Sequence, residues 1–256
     1  MIDKEISIVL SGEAGQGLNT IEPLFITLLE EAGYHAFLSK EFMSRVRGGN
    51  NTTAIRVSSG NVDAFVDRID MLVVLGANAF GRLDKRLAPG TILIGEEKNI
   101  PKKYADMGCR IIPVDFEARL SDLGGSLFLN NLILGILVGL LDCDTETARS
   151  MIRSRFILKG EAIVEKNLAA FDRGLDVSKQ ISLPISIQKD STLSSRIVLS
   201  GTEAVGIGVI AGGCNFIASY PMSRLPAPAC SPIWPGDPRS ATSWWSRPKM
   251  KSRPSI

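Results

Sequence analysis

Five short apolar runs recur along the first half of the chain, "ISIVL" (6–10), "TAIRV" (53–57), "MLVVLG" (71–76), "TILIG" (91–95) and "RIIPV" (110–114). Each is apolar almost throughout instead of alternating with polar residues. Such a strand has to be covered on both faces, which requires helical layers above and below a mostly parallel sheet. A further strand begins at His35, and between the runs Thr20–Ala32 and Ala77–Leu87 carry helical spacing. Each of these two ends near a glycine placed to act as a C-cap, Gly33 and Gly90. The alternation predicts an α/β fold with a doubly wound, mostly parallel sheet.

After "RIIPV" the strand signals stop and Phe116–Gln180 reads as a helical C-terminal part of the same domain. Its segments are "FEARLSDL", "LFLNNLILGILVGLL", "DTETARSMIRSRF" with Asp144 or Thr145 as N-cap, and "GEAIVEKNLAAFDRGL". The next stretch, "ISLPISIQKDSTLSS" (181–195), is polar, broken by proline and free of periodicity, so a linker is expected. Residues 196–223 restart as strand, glycine turn, small-residue helix and strand, the beginning of an incomplete second α/β unit. IVLSG occurs at both Ile8–Gly12 and Ile197–Gly201, as any buried strand feeding a glycine turn would allow. The boundaries are therefore 1–180, a linker 181–195, a second unit 196–223 and an irregular tail 224–256.

That tail distorts the overall charge. Residues 224–256 carry six Arg or Lys against the single acid Asp237, and removing this +5 from the chain's +2 leaves residues 1–223 at −3. The basic balance is thus no sign of a nucleic-acid-binding face. The four cysteines, Cys109, Cys143, Cys214 and Cys230, form no C-x-x-C pair, and His35 is the one histidine. No metal site on this chain is expected from such a set, and the thiols read as those of a reduced, cytoplasmic protein. "MIDKEISIVLSG" lacks the basic start of a signal peptide. The run Leu127–Leu141 contains Asn130 and Asn131 and falls short of the roughly 20 apolar residues of a membrane span, so a buried helix is expected.

Two segments are candidates for binding. "SGEAGQGLNT" sets Gly12, Gly15, Gln16 and Gly17 between the first strand and the first helix, where backbone N–H groups can approach an anion. Its G-x-x-G-x-G order reverses the dinucleotide fingerprint, and a tight turn that merely packs helix on sheet explains it equally well. "KEFMSRVRGGNNTTAIRVSS" places Arg45 and Arg47 before Gly48, Gly49 and Asn50. Two guanidiniums beside exposed backbone and amide groups suit phosphate or carboxylate; the alternative is a solvated loop whose arginines pair with acids across an interface. His35 stands apart from any nucleophile and reads as structural or surface-bound. Residues 1–223 contain no nucleophile–base pair or carboxylate dyad, so no chemistry by this chain alone is expected.

The pair "SGEAGQGL" and "RVRGGNNTTAIRVSS", in this order after an N-terminal strand, resembles the gamma domain of the 2-oxoacid:ferredoxin oxidoreductases. "LSGTEAVGIGVIAGGCNFIASYPMS" is similar to the start of the alpha domain of the same enzymes, and the gamma-then-alpha order resembles the fused alpha subunit of 2-oxoglutarate-type members. The resemblance covers residues 1–223. It implies oxidative decarboxylation of a 2-oxoacid, transfer of the acyl group to coenzyme A and passage of electrons to ferredoxin. It also implies a partner beta subunit that carries thiamine diphosphate, Mg and an iron–sulfur cluster, with no cofactor held by this chain alone. Ser223 matches the hydroxyl residue of the family's Tyr-Pro motif, which can hydrogen-bond the 2-oxoacid carboxylate. Tyr220 and Pro221 would set the turn that aims it. The glutamate that activates the thiamine ring has no match here.

Past Ser223 the family continues into a helix, whereas here seven of the thirteen prolines and all three tryptophans fall within 224–256. Neither a helix nor a central strand tolerates that. One reading is a disordered basic tail. The sharper one is a frameshift: with suitable synonymous codons, Ala227–Gly236 regroups to Thr-Gly-Val-Leu-Thr-Tyr-Leu-Ala-Gly, which looks like the family's helix. The leading expectation is a truncated alpha subunit, inactive as an isolated chain. Its rivals are a stand-alone nucleotide- or coenzyme A-binding module and a purely structural assembly subunit.

Overall fold

In the computed structural model, which describes residues 2, 4–13, 18–41, 50–181, 183, 185–193 and 199–214, all five apolar runs become strands. The strands are β1 (Glu5–Glu13), β2 (His35–Glu41), β3 (Asn50–Ser58), β4 (Met71–Val74), β5 (Ile92–Gly95) and β6 (Arg110–Pro113). They form one sheet in the order β2-β3-β1-β4-β5-β6. The pairs β1–β4, β4–β5 and β5–β6 are parallel, while β3 runs antiparallel to both β1 and β2. The sheet is therefore mixed and mostly parallel. "TAIRV" lies in the antiparallel part, since the eight residues between Glu41 and Asn50 are too few for the crossover of about a dozen that parallel neighbours need.

Both faces of the central strands are buried, which accounts for their unbroken apolar character. Ile6, Ile8, Leu10, Met71, Val73, Ile92 and Ile94 point into one core, and Val9, Leu72, Val74 and Leu93 into the other. The first face is covered by α1 (Leu18–Glu31) and by the C-terminal helices α3 (Phe116–Leu120), α4 (Leu129–Leu140), α5 (Thr145–Phe156) and α6 (Glu161–Gln180). The second face has the short α2 (Lys103–Asp106) and irregular turns, with Tyr104 stacked on Phe80 at 4.2 Å. The expected helix Ala77–Leu87 is absent. Two 3-10 segments, Ala77–Ala79 and Gly81–Arg86, replace it, and their i to i+3 bonds still turn Ala79, Phe80, Leu83 and Leu87 inward. Helical spacing alone could not distinguish the two outcomes. Gly90 accordingly caps no helix; its N–H donates to the Gly108 carbonyl at 2.9 Å.

The helical part follows the sequence closely. Asp115 caps α3 by accepting from the Ala118 N–H at 2.8 Å, and Asp144 rather than Thr145 caps α5 through the N–H groups of Glu146 and Thr147. The apolar run from Leu127 opens as a 3-10 turn and becomes α4 at Leu129. Between α4 and α6 the side chains of Asn131 and Asn167 meet at 2.5 Å inside the core. Of the described helices, none is long and apolar enough to cross a membrane.

The chain divides into two compact units, Met1–Arg196 and Ile197–Ile256. Within the first, residues 185–193 of the expected linker lie against the domain, with Ile187 and Leu193 buried. In the second unit α7 (Gly201–Ala211) bears the expected small residues and a reciprocal cap between Ser200 and Glu203. The strands expected on either side of it and the tail 224–256 lie outside the described residues.

A charge network pins the start of β1. Glu5 bonds Arg56 and Arg68 at 2.6 Å each, and Asp70 accepts from the Ser7 N–H at 2.7 Å. The guanidinium of Arg68 and then that of Arg56 hold the Glu5 carboxyl below its ordinary 4.5. A depressed folded-state value stabilises the fold above the unfolded carboxyl's titration and ceases to do so as pH falls through the folded one. Glu5→Gln is therefore expected to lower the urea midpoint at neutral pH, with the gap to the parent chain closing below about pH 4. A gap that stays constant from neutral to acid pH would remove Glu5 from the pH dependence.

Candidate functional site

The sheet reverses its order at β1. From β1 the chain passes through α1 to β2 and β3 on one side, whereas β4, β5 and β6 extend on the other. In open α/β sheets the crevice beyond the carboxyl ends of strands at such a reversal is where ligands bind.

Three elements meet at that end of the sheet. In the register of β1 and β3, Ser11 faces Thr52, Gly12 faces Asn51 and Glu13 faces Asn50. On the other flank Val74 of β4 pairs with Ser11, and the chain turns through Ala77–Ala79. The Ser11 hydroxyl, fully buried, donates to the Ala79 carbonyl at 2.7 Å. Asn50 Nδ2 donates to Ser11 Oγ at 2.7 Å and, more loosely, to the Ala79 carbonyl at 3.4 Å. One serine and one amide thus bind the ends of β1 and β3 to the turn after β4.

This register sets the chain neighbours of the two candidate segments opposite one another. In the sequence the glycine segment follows Glu13 and the arginine segment precedes Asn50, and Glu13 and Asn50 are cross-strand partners. Gly12 is buried at the end of β1, and Asn50 is the half-buried first residue of β3. Gly15, Gln16, Gly17, Arg45, Arg47, Gly48, Gly49, Tyr220 and Ser223 lie outside the described residues.

Beneath the same end sits a group that the sequence reading passed over. Glu22 of α1 is 2% exposed, and its carboxylate contacts the Lys40 ammonium and accepts from the Thr53 hydroxyl. Lys40 and Thr53 are themselves paired across β2 and β3. A signal was present: Glu22 stands three residues before Phe25 and seven before Leu29, on the stripe of α1 that faces the core. An acid at such a position demands partners.

Among the described residues, the hydroxyl at this end and the buried thiols are not activated as nucleophiles. Ser11 commits its proton to a backbone carbonyl, so no base activates it. Burial pushes the Cys143 thiol up to about 12 and raises that of Cys109 as well, which keeps both out of nucleophilic chemistry. His35 is buried at the amino end of β2, the other end of the sheet, and pairs with Asp190.

Comparison with known proteins gives a consistent picture. Residues 7–177 match the profile of the family described as "Pyruvate ferredoxin/flavodoxin oxidoreductase". The chain is 21% identical over 267 residues to the alpha subunit of a 2-oxoacid:ferredoxin oxidoreductase of Sulfolobus, a match covering 85% of this chain and 40% of that protein. It is 22% identical over 183 residues to the 2-oxoglutarate synthase subunit KorC of Archaeoglobus fulgidus, covering 71% and 92% respectively. Its fold is similar to that of the 2-oxoglutarate:ferredoxin oxidoreductase of Magnetococcus marinus, solved with 2-oxoglutarate, coenzyme A and succinyl-CoA bound. There the TM-score is 0.74 at 24% identity, over 82% of this chain and 38% of that one. The chain thus spans about 40% of the Sulfolobus alpha subunit, but nearly all of the smaller KorC chain matches within it.

Proposed function

The chain belongs to the pyruvate ferredoxin/flavodoxin oxidoreductase family, and on that premise we propose that its first 180 residues are the gamma domain of a 2-oxoacid:ferredoxin oxidoreductase. Residues 196–223 are, on this reading, the opening of the alpha domain, as in the fused subunit of 2-oxoglutarate-type members. The complex would oxidise a 2-oxoacid to its acyl-CoA and hand the electrons to ferredoxin. Its thiamine diphosphate, Mg and iron–sulfur cluster would reside on a partner beta subunit. Thiamine diphosphate, when bound there, supplies the carbanion chemistry of decarboxylation.

This chain's own part is binding. The observation that supports the reading is the Glu13–Asn50 pairing at the order reversal of the sheet, since the glycine segment follows Glu13 in the chain and the arginine segment precedes Asn50. Backbone N–H groups around Gly12, Gly15, Gln16 and Gly17, with Arg45, Arg47, Gly48, Gly49 and Asn50, would hold the phosphates of coenzyme A. Tyr220 and Ser223 would orient the 2-oxoacid carboxylate. The match of nearly the whole of a separate KorC subunit to this region supports a unit that can be supplied as its own chain.

Calorimetric titration of the full chain with coenzyme A tests the binding role. Replacing both Arg45 and Arg47 by alanine is expected to weaken binding about a hundredfold, the loss of two charge-assisted contacts. Failure of coenzyme A to bind, or binding unchanged by the double substitution, would refute the site. The catalytic role is read separately: 2-oxoacid-dependent dye reduction should require co-expression with a thiamine-diphosphate-binding partner and be absent from this chain alone.

A further inference from the structure

Residues 185–193 make defined contacts along their length despite a polar, proline-broken sequence. Ile185 bridges Ile2 in parallel, and the Ser186 N–H donates to the Ile2 carbonyl at 2.8 Å. Ile187 and Leu193 are buried. Lys189 donates its ammonium to the Asp142 carbonyl at 2.7 Å and to the Asp142 carboxylate at 3.0 Å, and lies 5.6 Å over the Tyr34 ring. The Asp190 N–H donates to the Gly33 carbonyl at 2.7 Å, and the Asp190 carboxylate meets His35 Nε2 at 3.2 Å.

The receiving surface is shaped for this segment. It consists of the turn between α1 and β2 and the turn between α4 and α5, joined by the Tyr34 hydroxyl donating to the Leu141 carbonyl at 2.9 Å. At Gly33, with φ of +88°, a methyl would lie 2.9 Å from the Asp190 carbonyl oxygen, so the absence of a side chain there lets the two backbones meet. Asp142 holds the left-handed φ of 50° beside the carbonyl that receives Lys189. Thr192 folds back on Asp190 through its N–H at 2.9 Å and its hydroxyl at 2.7 Å, which sets the carboxylate facing His35.

We propose that residues 185–193 are a releasable latch that anchors the passage into the second unit at the amino end of β2, away from the candidate site. The contacts define its strength. Side-chain exposures of 39% at Lys189 and 95% at Asp142 make that ion pair solvent-screened, worth about 0–1 kcal/mol and weakened by salt, and Asp190, 30% exposed, adds a single hydrogen-bond contact to His35. The latch is built from a few such contacts and three apolar residues, Ile185, Ile187 and Leu193, and its one bridge, Ile2–Ile185, lies outside the six-stranded sheet, so it opens without unfolding the sheet. Closed, the tether to the second unit begins after Leu193. Open, it begins at Ile181 and gains roughly 40 Å of contour.

Amide hydrogen exchange on the full chain tests this. In the parent chain the Ser186 and Asp190 amides should be protected about a hundredfold over free peptide. The Lys189→Ala/Asp190→Asn double variant should exchange at Ser186 roughly tenfold faster while the amides of β1 and β4 keep their rates. Unprotected Ser186 and Asp190 in the parent chain would overturn the latch, as would protection of Ser186 that the double variant leaves unchanged. If the variant loses protection in the sheet as well, the parent chain in high salt decides. Selective loss at Ser186 and Asp190 supports the latch, and salt-independent protection refutes it.

Discussion

Gly174→Ala is expected to lower the unfolding free energy of the first unit by about 3 kcal/mol, the upper range of an overpacked core, and its melting temperature by about 10 °C. Gly174 of α6 and Gly135 of α4 face each other where the two helices cross. A methyl on Gly174 would run into the Leu132 carbonyl oxygen and lie 2.9 Å from both Gly135 Cα and Ile136 N. A methyl on Gly135 would collide with the Phe171 carbonyl oxygen and lie 3.0 Å from Gly174 Cα. These obstacles are backbone atoms of helices locked by their own hydrogen bonds, so no side chain can rotate away and the helices have to separate. Separation would cost contact throughout the α4–α6 layer and would pull apart the buried Asn131–Asn167 pair. Gly139→Ala should be milder, because the atoms in its way belong to the Ser178 side chain. The double Gly135→Ala/Gly174→Ala variant should cost less than the sum of the single ones, since either substitution already forces the separation. Thermal and urea unfolding of Gly174→Ala, Gly135→Ala, Gly139→Ala and the double variant measure this order. A Gly174→Ala chain as stable as the parent would mean that the crossing is looser than described.

Lys40→Met should be the second large effect, with a loss of about 2–3 kcal/mol, whereas Glu22→Leu should change stability by less than about 1 kcal/mol. The asymmetry follows from burial. Glu22 is 2% exposed, so removing Lys40 leaves a carboxylate in the core with, among the described residues, only the Thr53 hydroxyl as partner. Lys40 is 32% exposed, so its ammonium regains water when Glu22 is replaced by an apolar residue that fits the stripe of Phe25 and Leu29. The Glu22→Leu/Lys40→Met double variant should then recover most of what Lys40→Met loses. Urea unfolding of the full cycle reads the coupling directly. Equal losses from both single variants would show that the pair itself, and not the isolated carboxylate, sets the energetics.

Much of this architecture is legible locally. The runs at 6–10, 71–76 and 91–95 could only be strands covered on both sides, and the Asp144 cap and the turn at Gly33 follow from short-range chemistry. Ala77–Leu87 misled because two 3-10 segments present the same apolar residues as a helix would. Residues 185–193 of the expected linker lie against the first unit because Asp142, Gly33 and His35 offer their polar groups partners, which composition alone does not show. The glycine and arginine segments could be recognised one at a time, but nothing in either shows that Glu13, before the one, pairs with Asn50, after the other.

By itself, then, the amino-acid sequence determined the central strands and the helices from Phe116 to Gln180, though not the 3-10 turns of Ala77–Leu87, since periodicity, capping and burial act over a few residues. The tertiary structure alone decided that Glu13 lies opposite Asn50, that Asn50 holds Ser11 from 39 residues away, that Glu22 finds Thr53 across 31, and that Asp190 reaches His35 across 155. Those meetings depend on strand order and register, and register is a property of the assembled sheet that no single segment contains.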